Sequence, residues 1–172
     1  MVLPIVLVVV IVVVIVAVIW WWKNRSESPE ESVMQTGGFT GDTIKVELDG
    51  SDRVLSISEL EVYSGGKNVA PNGKVSQSSA YDASKFPPER AIDGVNTGEY
   101  PDFTHTEEEA TPSFVLVLDK AYPIDSIKIY NRVGYECRMD KMTITITNSE
   151  TGETLVQYFA RTGRAAEWNN IK

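Results

Sequence analysis

The side chains best suited to catalysis at neutral pH, histidine and cysteine, each occur once in this 172-residue sequence, as His105 and Cys137. Histidine is the usual general acid or base, but no Ser-His-Asp pattern accompanies His105. Cys137 stands beside Arg138, whose charge could lower a thiol pKa. With a single histidine in the chain, we interpret Cys137 instead as a small, partly buried residue. The sequence therefore predicts a protein that is not an enzyme.

The acidic residues suggest a second kind of chemistry, the binding of a hard cation. Glu107, Glu108 and Glu109 form a run in a threonine-rich loop, and such a run normally lies on solvated surface. Asp93 differs, because the segment AIDGVNTG places it among Gly and Asn residues whose carbonyls can turn inward, as calcium requires. An Asp-Gly pair is also an ordinary turn, so the residues alone leave a calcium ligand and a turn as alternatives.

The elements that must hold these residues have the pattern of β-strands. Apolar residues alternate with polar ones over short runs, separated by turn sequences such as DGSD at 49–52 and NSETG at 148–152, and a period of two indicates strands. The run FVLVLD at 114–119 is continuously apolar, which favours a strand buried on both faces. We predict an all-β domain over 43–172, an antiparallel β-sandwich or jelly roll. The alternating positions are Ile44, Val46, Leu48, Leu55, Ile57, Leu60, Val62, Ile127, Ile129, Ile144 and Ile146.

The N-terminal segment has the composition of a membrane span. Residues 2–22 contain no charged side chain, and a helix of that length crosses roughly 30 Å of hydrocarbon. Trp20, Trp21 and Trp22 stand where an interfacial aromatic belt is expected. A cleaved secretory signal needs a basic start and a small-residue cleavage site, and a soluble helix needs a polar face; neither pattern is present. We predict a transmembrane helix over 1–22, in contact with the lipid bilayer through 2–22.

Residues 23–42 are rich in Ser, Glu, Gly and Thr, which predicts a flexible polar stalk. Lys23 and Arg25 follow the predicted span, so the positive-inside rule places the C-terminal domain on the cytosolic side of the membrane. The lone Cys137 allows no intramolecular disulfide and gives no sign of adaptation to an oxidising compartment. The formal net charge of −8, without a cluster of Lys and Arg, excludes nucleic acid as a partner.

Two segments carry a family resemblance: NVAPNGKVSQSSAYDASKFPPERAIDG at 68–94 and FTHTEEEATPSFVLVLDKAYPIDSIKIYNRVGYECRMDKMTITITN at 103–148. They contain, in order, an Asn and a Gly, then QSS, AIDG, THT, an apolar strand ending in VLD, and IKIYNR followed by a cysteine and a second arginine. In these motifs residues 55–148 resemble the F-type lectins, the fucolectin branch of the discoidin-like, galactose-binding β-sandwiches. The resemblance implies a galactose-binding-domain-like jelly roll for the predicted β domain.

The resemblance also implies a sugar site made of His105, Arg132 and Arg138, whose side chains would hydrogen-bond the hydroxyls and ring oxygen of fucose. The 26 residues between His105 and Arg132 match the family's spacing. Arg138 stands one residue closer than the family pattern, Gly134 replaces an aspartate, and the family's vicinal cysteine pair is reduced to Cys137. The implied site is therefore a diverged version of the family's site.

A structural calcium ion is the second feature that the resemblance implies. The family holds it with loop carbonyls, the Asp of AIDG and a Glu from a C-terminal strand. Here that strand comes first, as ISELEVY at 57–63, as in a circular permutation of the domain. Carried over position by position, the ligand side chains are those of Asp93 and Glu59, with help from Asp102. The ligand carbonyls are those of Arg90, Val95 and Ser58.

Two functions remain open from the sequence. The first is a membrane-anchored docking module that holds a protein partner at the membrane surface, favoured by the predicted orientation and the diverged sugar site. The internal membrane of a large DNA virus, with the domain facing the capsid shell as a minor capsid component of the virion, is one setting that fits it. The second is an active, calcium-stabilised lectin that binds fucosylated glycans, with avidity from many copies on one membrane. A homo-oligomer or larger assembly is compatible with both.

Overall fold

The computed structural model of the chain describes residues 39–169. The predicted transmembrane segment at 1–22 and most of the predicted stalk lie outside these residues, as do the last three residues of the chain. Among the residues that the structure describes, no helix is long and apolar enough to cross a membrane.

Nine strands in two antiparallel sheets form the described part of the chain, and short 3₁₀ helices are its only helices. One sheet has five strands in the order β4-β5-β1-β7-β8, and the other has four in the order β3-β2-β6-β9. The prediction of an all-β, antiparallel domain is confirmed in this sandwich-like form. The strands are β1 (Thr40–Leu48), β2 (Ile57–Ser64), β3 (Lys67–Asn68), β4 (Lys74–Gln77), β5 (Ser113–Pro123), β6 (Ser126–Asn131), β7 (Met142–Thr147), β8 (Thr154–Phe159) and β9 (Ala165–Asn169), and the 3₁₀ helices are Ala70–Asn72, Pro88–Ile92 and Glu136–Met139.

The core is built from the alternating apolar residues of both sheets. In the five-stranded sheet, Ile44 of β1 is paired with Ile146 of β7, and Val46 with Ile144. All four side chains are buried and belong to one cluster, which also contains the apolar residues of β2 and β6. In β1 from Thr43 onwards, and in β6 and β7, every second residue is therefore buried, as their period of two predicts. Strand β2 departs from this pattern, because Ile57–Leu60 are all buried where its register shifts.

Strand β5 differs from its prediction. Phe114 and Leu116 are buried, but Val117 is 46% exposed, so the continuous apolar run does not mark a strand buried on both faces. The cause is that β5 lies between β4 and β1 in a sheet that packs against the core on one face only. The prediction of two buried faces for 114–119 is wrong, and Val117 is an outward-facing valine.

The folded domain begins before residue 43, because β1 starts at Thr40. The last three residues of the predicted stalk, 40–42, belong to this strand. A Cβ on Gly41 would lie 2.7 Å from Ile146 Cγ2, so glycine is needed for a close approach between strands. Asp42 accepts hydrogen bonds from the backbone amide of Ser149, at 3.3 Å, and from its hydroxyl. Polar and small residues that resemble a linker are thus tied into the sheet by specific contacts.

The segment before β2 pairs with the loop that carries His105. The hydroxyls of Thr104 and Thr106 each accept a hydrogen bond at 3.0 Å, from the amides of Ile57 and Leu55 respectively. The amides of the two threonines donate in return to the carbonyls of Ile57 and Leu55. Both threonines are buried, and alternation along an extended segment turns the residue between them the other way. This pairing presents His105 at the surface.

We expect Thr104→Val and Thr106→Val each to lower the free energy of unfolding by about 1–3 kcal/mol, because each leaves a buried amide without an acceptor. Urea unfolding of the full-length chain in a polyoxyethylene detergent, followed by near-ultraviolet circular dichroism, measures the loss. Thr145→Val, on the outward side of β7, is the control and should change stability by less than about 0.5 kcal/mol. Equal effects of all three substitutions would contradict this role of the hydroxyls.

Candidate functional site

His105 is half-buried in a group of aromatic rings on the long connection between β4 and β5. Its ring centroid lies 5.2 Å from that of Tyr81, 5.5 Å from that of Phe86 and 6.2 Å from that of Phe103. Its Nδ1 atom is 2.7 Å from the carbonyl oxygen of Thr106. A carbonyl can only accept, so Nδ1 carries the hydrogen, and in the neutral ring Nε2 is left as an acceptor.

The charge state of His105 follows from this environment. Burial is the main cause that lowers the pKa of His105 below its ordinary value, and the nearby positive charges of Arg132 and Arg138 act in the same direction. The hydrogen bond with Thr106 opposes them. At neutral pH the imidazole is therefore uncharged and keeps its acceptor.

Arg132 and Arg138 lie close to His105 and share one tyrosine. Their Cζ atoms are 4.2 and 4.3 Å from the centroid of the Tyr135 ring, and the Cζ of Arg132 is also 4.5 Å from the centroid of Phe103. Guanidinium groups are attracted to the negative face of an aromatic ring, so the rings hold two like charges near each other. The structure thus brings together the three residues that the sequence singled out.

The guanidinium of Arg138 retains an unused donor. Its Nη1 atom is buried and has no hydrogen-bond partner within the described residues. A buried donor without an acceptor costs free energy, so a ligand that supplies an acceptor there gains this contribution. Cys137, next to it, is exposed, and the prediction of a partly buried cysteine is wrong because the 3₁₀ helix Glu136–Met139 turns this residue to solvent.

Sequence reasoning missed the aromatic surface around these polar groups. Tyr81 is 64% exposed, Tyr100 67% and Tyr135 42%. Each lies in a loop without periodicity, and the rings meet only because the loops converge: Phe86 is 5.2 Å from Phe103 and 6.0 Å from Tyr100, between centroids. The one signal in the sequence is the presence of tyrosines in polar, turn-like segments near His105 and Arg132.

The proposed calcium ligands divide into two groups, of which Glu59 and Asp93 form the first. Glu59 is 1% exposed, and its carboxylate accepts from the amide of Gly94 at 3.2 and 3.3 Å. Burial, with a smaller contribution from the charge of Asp93, raises the pKa of Glu59 to about 7. A buried carboxyl beside a second one loses its charge by taking up a proton or has it balanced by a cation, so these two residues are compatible with a hard cation. No group of three or more His, Cys, Asp and Glu side chains lies together in the described range.

Among the remaining predicted ligands, which include the carbonyls of Arg90 and Ser58, Asp102 and the Val95 carbonyl have partners within the protein. Asp102 lies 3.5 Å from the guanidinium of Arg90 and accepts from the hydroxyl of Thr97 at 3.1 Å. The carbonyl of Val95 accepts from the Ser58 hydroxyl at 3.4 Å. The Arg90 carbonyl lies in the short helix just before this loop. Calcium binding through these groups would require it to replace or share those contacts.

Arg164, which the sequence did not single out, ties the loop at 96–98 to the end of β6. Its Nη2 donates to the carbonyls of Asn96 and Thr97 at 2.8 Å each, and its Nη1 donates to the carbonyl of Asn131. The Gly98 carbonyl accepts from the amide of Val133 at 2.9 Å. The loop therefore contacts the residue on either side of Arg132.

Comparison of the chain with family models, curated proteins and solved structures gave no match.

We expect the ring of His105 to titrate below the ordinary histidine pKa of about 6.5, because burial and two neighbouring guanidinium groups disfavour its charged form. A lowered pKa means that the unfolded chain binds the proton more readily, so stability should fall as pH drops through 6.5. His105 is the only histidine, so its proton NMR signals give the pKa directly. A pKa at or above 6.5 would contradict the described environment; His105→Gln should show the weaker loss of stability in acid.

Glu59→Gln tests the cation site. It removes the buried charge, so we expect the melting temperature in a chelator to stay the same or rise. If Glu59 is a calcium ligand, calcium should raise the melting temperature of the wild type by several degrees and that of the variant much less. Thermal unfolding with calcium and with chelator measures both effects, and the exposed Glu150→Gln is the control. Equal calcium shifts in all three proteins would rule out Glu59 as a ligand.

Proposed function

We propose that the described domain binds a neutral sugar of the fucose type through His105, Arg132 and Arg138. The observation that carries this is the meeting of one acceptor and two guanidinium donors within a single group of aromatic rings. A sugar hydroxyl both donates and accepts, so vicinal hydroxyls complement an imidazole Nε2 beside guanidinium N–H groups. Exposed tyrosines offer apolar faces to the C–H groups of the ring.

The charge pattern favours a neutral sugar over an acidic one. Two arginines alone would suit a carboxylate or sulfate, but the Nε2 lone pair of neutral His105 points partial negative charge into the same site. An anion would gain from the guanidinium groups and be repelled by this acceptor. A neutral hydroxyl can satisfy both kinds of group, so L-fucose is the probe of choice.

The proposed sugar-binding domain has a lectin-like fold, holds a structural calcium ion and is anchored to a membrane. The order of β2 before the AIDG loop supports a circularly permuted, discoidin-like sandwich, and Glu59 with Asp93 supports a structural calcium ion. The apolar segment at 2–22 supports a membrane anchor. Fucosylated glycans lie outside the cytosol, so this function places the domain on the side opposite to the one that Lys23 and Arg25 indicate.

Docking of a protein partner at the membrane surface is the second candidate. The observation that favours it is the exposure of Tyr81, Tyr100 and Val133 around the same site, because aromatic residues beside arginine are typical of protein interfaces. A protein partner would cover this aromatic surface, and in that case the site need not bind a free monosaccharide.

Calorimetric titration of the full-length chain with L-fucose, in a polyoxyethylene detergent that carries no sugar, separates the two. Arg132→Ala should weaken binding roughly tenfold or more, since a hydrogen bond to a charged group contributes about 1.5–3 kcal/mol. Lys120→Ala is the control, because Lys120 also lies over a tyrosine ring, that of Tyr122, away from the three residues. Absence of heat from the wild type at millimolar fucose would favour the protein partner.

A further inference from the structure

Arg53 links the two loops that carry His105 and Arg138. Its Nη2 donates to the carbonyl oxygens of Arg138 at 2.8 Å and Asp140 at 2.7 Å, and its Nη1 donates to the carbonyl of Asp49 at 2.8 Å. The first two carbonyls lie at the end of the 3₁₀ helix Glu136–Met139, where carbonyls have no partner within the helix. One side chain therefore terminates the helix that presents Arg138.

The backbone of Arg53 holds the other loop. Its amide donates to the carbonyl of Glu109 at 3.0 Å, and the amide of Glu109 donates back at 2.9 Å. This bridge lies next to the pairing of Leu55 with Thr106, with a shift of one residue in register between the two, so it ties down the chain that follows His105. The same residue thus contacts the His105 loop through its main chain and the Arg138 helix through its side chain.

Lys141, two residues after the helix that carries Arg138, has an unfavourable backbone conformation. Its φ is +61°, which a residue other than glycine adopts at a cost. Its carbonyl accepts from the amide of Asp49 at 3.2 Å, the residue whose own carbonyl accepts from Arg53. The turn at 49–53 therefore supports the chain on both sides of Asp140.

We propose that Arg53 is a positioning residue: it sets the distance between His105 and Arg138 and so determines the affinity for the sugar, without touching the sugar. This inference rests on the proposed function of the site. Only a planar guanidinium has donors in a fork that can serve three carbonyls at once. Lysine has the same charge but presents its donors from a single nitrogen, so it cannot hold the same geometry.

The test compares Arg53→Gln and Arg53→Lys with Arg161→Gln in the full-length chain. Arg161 is exposed and follows Ala160, whose carbonyl accepts from the Lys141 amide, so this control removes a charge near the same helix. At a temperature well below the melting point of every variant, we expect Arg53→Gln to weaken L-fucose binding about tenfold, since loosely held site residues lose affinity. Arg53→Lys should restore little of the lost affinity. The control, Arg161→Gln, should bind L-fucose as the wild type does.

A purely structural role would lower the melting temperature of Arg53→Gln and leave its fucose affinity equal to that of the wild type, which overturns the proposal. A second readout does not depend on sugar. The Nε–Hε NMR signal of Arg138 should shift and broaden in Arg53→Gln and stay in place in Arg161→Gln. If the wild type binds no fucose, the proposed function fails, and this signal alone decides: an unchanged signal refutes the positioning role, and a shifted one supports it.

Discussion

The pairing of the chain before β2 with the chain at 104–109 is the constraint on which both the core and the surface site depend. The hydroxyls of Thr104 and Thr106 take the place of strand carbonyls for the amides of Leu55 and Ile57, which are buried and must be satisfied. Because both threonines face inward, the residue between them faces outward. A change in this register by one residue would bury His105 and expose a threonine.

The two polar sites each bring like charges together: two arginines in one and two carboxylates in the other. Arg132 and Arg138 repel each other, and aromatic faces on Tyr135 and Phe103 offset that repulsion. Glu59 is buried with a second carboxylate nearby, and no aromatic ring can offset a negative charge in this way. The guanidinium pair therefore has favourable partners within the protein, whereas the buried charge of Glu59 is relieved by a proton or by the proposed cation.

The sequence predicts the fold better than the details of the site. Alternation at positions such as Ile44 and Ile144 predicts strands, because an apolar side chain indicates the buried face and a polar one the exposed face. Alternation says nothing about solvent on the second face of a sheet, which is why the outward position of Val117 was missed. The spacing of His105 and Arg132 predicted that they share a site, and in the fold both lie against the ring of Phe103; their role as sugar ligands stays a prediction. The roles of Arg53 and Arg164 were not predictable, because both donate to backbone carbonyls far along the chain. Every residue type has such a carbonyl, so the sequence does not show which ones are bound.

The 96–98 loop is connected by hydrogen bonds to both neighbours of Arg132. Arg164 connects the carbonyls of this loop to Asn131, and Gly98 bonds directly to Val133. Any ligand that favours one position of the loop also favours one position of the Arg132 backbone. Linkage is reciprocal, so if the domain binds both the proposed cation and the proposed sugar, any coupling through this loop changes the two affinities by the same factor.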